Sequence, residues 1–183
     1  SFPVRDPFFS MLKRSLQSFM NAFTSSDWTA YPFATRNEKD YFGLLDVYLD
    51  AVFFPKLDPL SFAQEGHRFE YDDDILKIKW IVYNEMKWVY ADHYQRIYED
   101  LKMTLHPVTT YHHDSGGNPR DIPDLTYEDF REFHAEHYHP TNATFMTFGN
   151  IAPERIQERF EERVLWEFKK GHQIIPKDEK RLA

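Results

Sequence analysis

The chain contains no cysteine, which excludes a disulfide framework, a thiolate zinc site and a cysteine nucleophile. It has no basic surplus either: 22 Lys and Arg stand against 30 Asp and Glu, a formal charge of −8. Nucleic-acid backbones and anionic membranes call for a basic face, so neither is expected as a partner. No apolar run approaches the ~20 residues that cross a bilayer. Glycine is scarce, six in 183 residues, and no Gly-rich loop follows a strand-like run, so dinucleotide and P-loop chemistry have no support. The start, Ser1-Phe2-Pro3-Val4, has neither an initiator Met nor the layout of a signal peptide and reads as a chain entered in mid-sequence. What is abundant is apolar and aromatic surface, 42% and 17% of residues. That rules out intrinsic disorder and suffices for one core, or at most two small ones.

Helix punctuation is legible. Asp6-Pro7 reads as an N-cap followed by Pro at the first helical position, and Phe8, Phe9, Met11, Leu12, Leu16 and Phe19 predict a helical stripe. From Asn21-Ala22-Phe23-Thr24 to Ala34-Thr35 the composition favours extended chain, with Pro32 at an edge or strand end. Asn37 then caps a helix whose Tyr41, Leu44, Leu45, Tyr48, Leu49, Val52 and Phe53 follow helical spacing until Pro55. A short helix begins at Asp58-Pro59 and ends at Gly66, and His67 to Tyr71 predicts a strand before an acidic turn at Asp72-Asp73-Asp74. Ile75 to Leu105, free of Gly and Pro, reads mainly as helix with a break near Ala91-Asp92. Residues 106–124 are loop, Thr126 with Asp129 makes a capping box, and Phe130, Phe133, His134 and His137 form the next stripe, ended by Pro140. Ala143 to Phe148 predicts a buried strand, Pro153 opens a last amphipathic helix to about Phe168, and a charged tail follows. Helices and strands are mixed, so the fold class is α+β.

Three groups of residues could carry chemistry. With a helix over this stretch, Glu85 shares a face with Ile78, Ile81, Val82 and Val89. A carboxylate in an apolar stripe needs a salt bridge, hydrogen bonds, a wetter surround or a metal. The pairs His112-His113-Asp114 and His134-Ala135-Glu136-His137 with His139 invite a metal. The first offers too few ligands to close a site, and the second falls one residue short of the inverted H-x-x-E-H motif, so structural roles compete with ligation at both. Finally, residues 21–27 read either as an ordinary inner strand or as an exposed edge able to take a peptide as an added strand.

Several motifs together, in order from residue 2 to about 168, carry a resemblance. They are Pro3-Val4-Arg5-Asp6-Pro7-Phe8-Phe9, Asn21-Ala22-Phe23-Thr24 with Tyr31-Pro32, Leu45 through Pro55, Glu65-Gly66-His67-Arg68 and Val82-Tyr83-Asn84-Glu85-Met86-Lys87. Asp114-Ser115-Gly116-Gly117, Ile122-Pro123-Asp124-Leu125-Thr126 and His137-Tyr138-His139-Pro140-Thr141-Asn142-Ala143 complete the set. The sequence resembles the presequence-protease branch of the insulinase (pitrilysin-type) zinc metallopeptidases. That resemblance implies an α+β fold, with a mixed or antiparallel sheet packed against helices. Residues 1–168 would be a partial N-terminal peptidase domain, and residues 169–183 a charged tail or linker to the next domain.

In such peptidases zinc sits on an H-x-x-E-H helix and a later Glu, and the Glu of the motif is the general base. By resemblance Glu85 is the later zinc ligand, and Asn21, Ala22, Phe23 and Thr24 bind the peptide substrate. The motif itself occurs nowhere in the 183 residues, so the general base is expected upstream of Ser1, and the chain reads as an internal fragment, inactive alone. Zinc is the implied cofactor. The implied partners are a peptide substrate, the remaining domains of the same polypeptide and, through exposed apolar surface, further copies of the fragment. The family pattern has Gly where Trp80 and Trp88 flank Glu85, which suits an alternative: a non-catalytic, peptidase-like structural or peptide-binding subunit. A third reading is an unrelated α+β domain with a histidine metal site. Without cysteine the expected setting is cytoplasmic, with an organelle matrix as the alternative.

Overall fold

The computed structural model describes residues 16–65, 68–72, 75–79, 81–118 and 121–171. In chain order the elements are β1 (Gln17–Met20), β2 (Phe23–Thr24), β3 (Thr29–Ala30), β4 (Phe33–Thr35), α1 (Glu38–Phe53), α2 (Pro59–Glu65), β5 (Arg68–Asp72), β6 (Ile75–Lys79), α3 (Ile81–Val89), α4 (His93–Leu105), α5 (Tyr127–His137) and α6 (Pro153–Arg163). The class is α+β. Among the described residues the strands pair only two by two, β1 with β4, β2 with β3 and β5 with β6. The described residues gather into two compact units interleaved in sequence: 16–23, 30–56 and 132–171 form one, 24–29 and 57–131 the other.

The first unit is built around α1. The Asn37 side chain accepts from the Asp40 amide at 3.0 Å, satisfying an orphan donor of the first turn. Leu44 to Leu49 are buried without interruption, Leu44 completely, so the middle of this helix is enclosed on all sides. Leu45, Leu49 and Phe53 pack with Ile156 and Phe160 of α6 and with Val164 just beyond it. Each such side chain contributes about 1.5–3 kcal/mol relative to exposure. Phe145 closes the cluster, its ring 4.5 Å from Phe160 and 5.9 Å from Phe53. The buried carboxylate of Asp46 accepts from Arg159 Nε at 2.7 Å and from Nη2 groups of Arg159 and Arg163 at 2.5 Å. This bidentate, charge-assisted arrangement compensates its desolvation.

In the second unit β5 and β6 form an antiparallel hairpin, Glu70 in register with Lys77 and Arg68 with Lys79. Phe62 of α2 packs on Tyr127 and Phe130. Asp92, whose carboxylate accepts from the Tyr94 amide at 2.8 Å, caps α4 and marks the expected break after α3. Thr126 and Asp129 exchange hydrogen bonds as the capping box predicts.

Three expectations are corrected. The stripe from Phe8 to Phe19 predicts helix, yet Gln17–Met20 is strand β1, because pairing with Phe33–Thr35 outweighs the local spacing. Its earlier residues, including the Asp6-Pro7 cap, lie outside the described residues. Ile75–Lys79 is strand rather than helix, its alternating Leu76, Lys77, Ile78 and Lys79 fitting the two-residue period as well as a helical one. Residues 143–148 form no strand. A strand needs a partner, none pairs here among the described residues, and Met146 and Phe148 are exposed while Phe145 alone turns into the core. Gly66, Asp73, Asp74, Trp80 and the tail from residue 172 lie outside the described residues.

Candidate functional site

Residues 16–35 fold as one long, jointed hairpin. Near its base β1 and β4 are antiparallel, with Phe19 opposite Ala34, Met20 opposite Phe33, and an irregularity between Gln17 and Phe19. Toward its tip β2 and β3 pair, the Ser25 amide donating to the Trp28 carbonyl at 2.8 Å across the turn. Thr29 Oγ1 donates to Thr24 Oγ1 at 3.3 Å. Between the two halves, Asn21 and Ala22 on one strand and Tyr31 and Pro32 on the other drop out of the ladder. Pro32 has no N–H to donate, so the joint keeps the bond from the Asn21 amide to the Pro32 carbonyl, 3.1 Å. The Ala22 amide is engaged by Asn21 Oδ1 at 2.9 Å.

This hairpin carries the residues expected to bind peptide, Asn21, Ala22, Phe23 and Thr24, and all four are exposed. Among the described residues β2 pairs on one side only, with β3. An edge of this kind can accept an added strand through main-chain hydrogen bonds. Phe19 and Phe23 stack with ring centroids 6.2 Å apart, both partly open to solvent, an apolar platform beside that edge.

Two tyrosines of the first unit, Tyr48 on α1 and Tyr138 just past α5, grip the joint. Tyr48 of α1 places its hydroxyl 3.3 Å from the Asn21 carbonyl and 3.2 Å from that of Pro32. The Tyr31 hydroxyl meets that of Tyr138 at 2.6 Å. Burial, and then the Tyr138 hydroxyl, push the Tyr31 phenol well above its ordinary pKa. His134 stacks on Tyr138, and its Nε2 lies 2.9 Å from the Val52 carbonyl. Helical spacing marks Tyr48 only as a stripe member. The one sign in the sequence is a phenol between Leu45 and Leu49 on the apolar stripe, because a buried hydroxyl must find a partner.

Glu85 lies on α3 of the second unit; its side chain is not among those described. The next residue, Met86, is buried, whereas Trp88 is 79% exposed. The turn after α4 is latched to this helix. Tyr90, one residue past α3, donates from its hydroxyl to Asp114 Oδ2 at 2.8 Å, and Asp114 Oδ1 accepts from the Gly116 amide at 2.9 Å. Burial, then the Asp114 hydrogen bond, raise the Tyr90 phenol above its usual range. A Cβ on Gly116 would run into Met86 Sδ, and Gly117 adopts φ +83°, so Gly fits both positions. The face once shared by Ile78 and Glu85 does not exist, since Ile78 belongs to strand β6.

Ring nitrogens in both histidine clusters lie against atoms of the protein itself. His112 Nδ1 lies 3.2 Å from the Met103 carbonyl, and His139 Nδ1 is 2.8 Å from Thr141 Oγ1. Among the described residues no three His, Asp or Glu side chains come together as a metal site. With one candidate ligand in Glu85 and no H-x-x-E-H, the 183 residues do not make a zinc site by themselves.

Residues 124–181 match the family model described as the Peptidase M16 inactive domain. Over 174 residues, 92% of this chain, the sequence is 49% identical to the mitochondrial presequence protease of Danio rerio. It is 47% identical over 156 residues to presequence protease 1, chloroplastic/mitochondrial, of Arabidopsis thaliana. A bacterial relative, the protein named HypA of Clostridium perfringens, is 44% identical over 171 residues, 91% of the chain. The chain spans only 14–18% of the length of these three relatives.

Proposed function

Because this segment belongs in sequence with the presequence-protease branch of the M16 peptidases, we propose that it works as part of a zinc-dependent endopeptidase that hydrolyses peptides in an enclosed chamber. Residues 1–168 are then part of its N-terminal peptidase domain, and residues 169–183 lead to the next. The chain's own share of the work is to hold the peptide along Asn21, Ala22, Phe23 and Thr24 and to supply Glu85 as one zinc ligand. The other ligands and the general base come from residues outside these 183, so the segment alone is inactive. The observation that supports this reading best is the open edge of β2, exposed at both residues and paired on one side only among the described residues. The names of the relatives, mitochondrial or chloroplastic, favour an organelle matrix over the cytoplasm. No helix among the described residues is long and apolar enough to cross a membrane.

Two measurements test the reading. The purified 183-residue chain should bind no stoichiometric zinc and cleave no peptide, since one carboxylate cannot replace a three-ligand site. In the complete polypeptide carrying this segment, Glu85→Gln should strip zinc and abolish hydrolysis; full zinc occupancy and activity in that variant would remove Glu85 from the site.

The matched family model is described as an inactive domain, and that favours a second reading, a non-catalytic subunit that binds peptides. A complete polypeptide that binds a labelled peptide without cleaving it, and lacks zinc, would establish that alternative.

A further inference from the structure

The joint of the hairpin is a weak point by construction. Four residues leave the ladder at the same level, and Pro32 cannot donate. A two-stranded ribbon with so few bonds is marginal unless something packs or bonds against it. At this level α1 delivers a single phenol. The Tyr48 ring is almost wholly buried, 5% exposed, and packs 5.1 Å from the Phe33 ring. Its hydroxyl lies within reach of two carbonyls on opposite strands, Asn21 at 3.3 Å and Pro32 at 3.2 Å. One hydroxyl hydrogen serves two acceptors, so the bond persists through small changes of angle between the strands. A phenylalanine would fill the same space, leaving the strands at this level the Asn21 amide bond to the Pro32 carbonyl without the hydroxyl's support. Tyr138 in turn holds the hydroxyl of Tyr31, the residue before Pro32.

We propose that Tyr48 is a positioning residue, its hydroxyl fixing Asn21 and Pro32 at the joint and with them the backbone of residues 21–23 that a bound peptide meets, with Tyr138 as its second support. The inference rests on the reading that residues 21–24 hold the peptide. Without the hydroxyl the β1–β4 pairing stays while the Asn21 and Pro32 carbonyls lose their shared donor, and an added strand must first bring residues 21–23 back into line. The cost falls on binding, and chemistry on a peptide already bound is spared.

The experiment uses the complete polypeptide, with an unstructured fluorophore-labelled peptide read both for hydrolysis and for its dissociation constant by anisotropy. Tyr48→Phe should weaken peptide binding about three- to tenfold, the range of one lost hydrogen bond, with kcat within about twofold and the melting temperature nearly unchanged. Tyr138→Phe should act in the same direction, less strongly. Ala22→Pro, which breaks the bond from the Ala22 amide to Asn21 Oδ1 and so distorts the binding stretch itself, is the reference variant, with circular dichroism to verify folding. If Ala22→Pro weakens binding and Tyr48→Phe does not, the positioning role is wrong while the peptide-holding reading stands. If neither changes binding, the peptide-holding reading fails and takes this inference with it. A fall in kcat and melting temperature together in Tyr48→Phe, at constant affinity, would make the hydroxyl merely structural and overturn the proposal.

Discussion

On α1 the apolar residues face inward: Leu44, Leu45, Leu49 and Phe53 are buried, and α6 covers part of them with Ile156 and Phe160. On α4 the arrangement is turned inside out. Tyr94, Ile97, Tyr98, Leu101 and Leu105, again at helical spacing, are all exposed, Tyr94 at 85%. The buried residue is Glu99, bonded to Gln95 Nε2 at 3.1 Å and paired with Lys102. The two helices have the same periodicity, and the difference lies in what covers it. Spacing of three and four makes a helix amphipathic, but the covering surface has to come from elsewhere. For α1 that surface lies within the segment. For α4 it does not lie among the described residues, in a chain that spans about a sixth of its relatives' length.

The largest effect is expected where the cover is present. Leu49→Ala should destabilise the chain by about 2–5 kcal/mol, because the cluster it leaves can close only partly over the void. Urea denaturation measures this, and a loss below about 1 kcal/mol would put α1 on the same footing as α4. Next comes Asp46→Ala, which removes the carboxylate shared by Arg159 and Arg163 and leaves Arg159 its pair with Glu162. Both guanidinium groups reach solvent, so the cost should be about 1.5–3 kcal/mol, that of hydrogen bonds to a charged group, rather than the larger cost of a fully buried charge. A smaller effect confined to alkaline solution follows from α1's phenols. Burial raises the pKa of Tyr41 and Tyr48, so the folded chain keeps protons that the unfolded chain releases above about pH 10. Stability is then complete below that pH and falls as pH rises beyond it. Comparing the denaturation midpoint at neutral and alkaline pH tests this, and Tyr48→Phe should make the decline shallower.

The same contrast explains which features were readable from sequence. Capping at Asn37 and Thr126, the break near Ala91-Asp92 and the stop at Pro55 depend on neighbours within a few residues and were legible. The strands were harder, since Gln17–Met20 and Ile75–Lys79 owe their state to partners elsewhere in the chain. Residues 143–148 carry a strand's composition but find no strand partner among the described residues. At the candidate site, the exposed stretch at residues 21–24 could be singled out from composition and resemblance. The joint could not, because the contact between Tyr48 and the Asn21 and Pro32 carbonyls spans 27 and 16 residues. Nor could the latch from Tyr90 to Asp114, 24 residues apart. Such contacts leave no periodic trace.

The smallest expected change in stability is also the sharpest test of the comparison. Ile97→Gln with Leu101→Gln replaces two exposed apolar side chains of α4 by a good helix former. If that face is truly uncovered, the double variant should alter the unfolding free energy by no more than about 0.5 kcal/mol, as for other surface substitutions. Its effect should appear in association instead. An apolar stripe of this size on an isolated segment drives copies together, so light scattering should find the parent segment associating as concentration rises and the variant closer to monomer. A parent segment that stays monomeric at high concentration would mean that the stripe is not sticky in water. A loss of about 2 kcal/mol or more per substitution would mean that it is packed after all, as on α1. Either result would erase the distinction between the two helices. The expected pair of results, unchanged stability with reduced association, would show that α4 presents an uncovered apolar face where α1 presents a covered one.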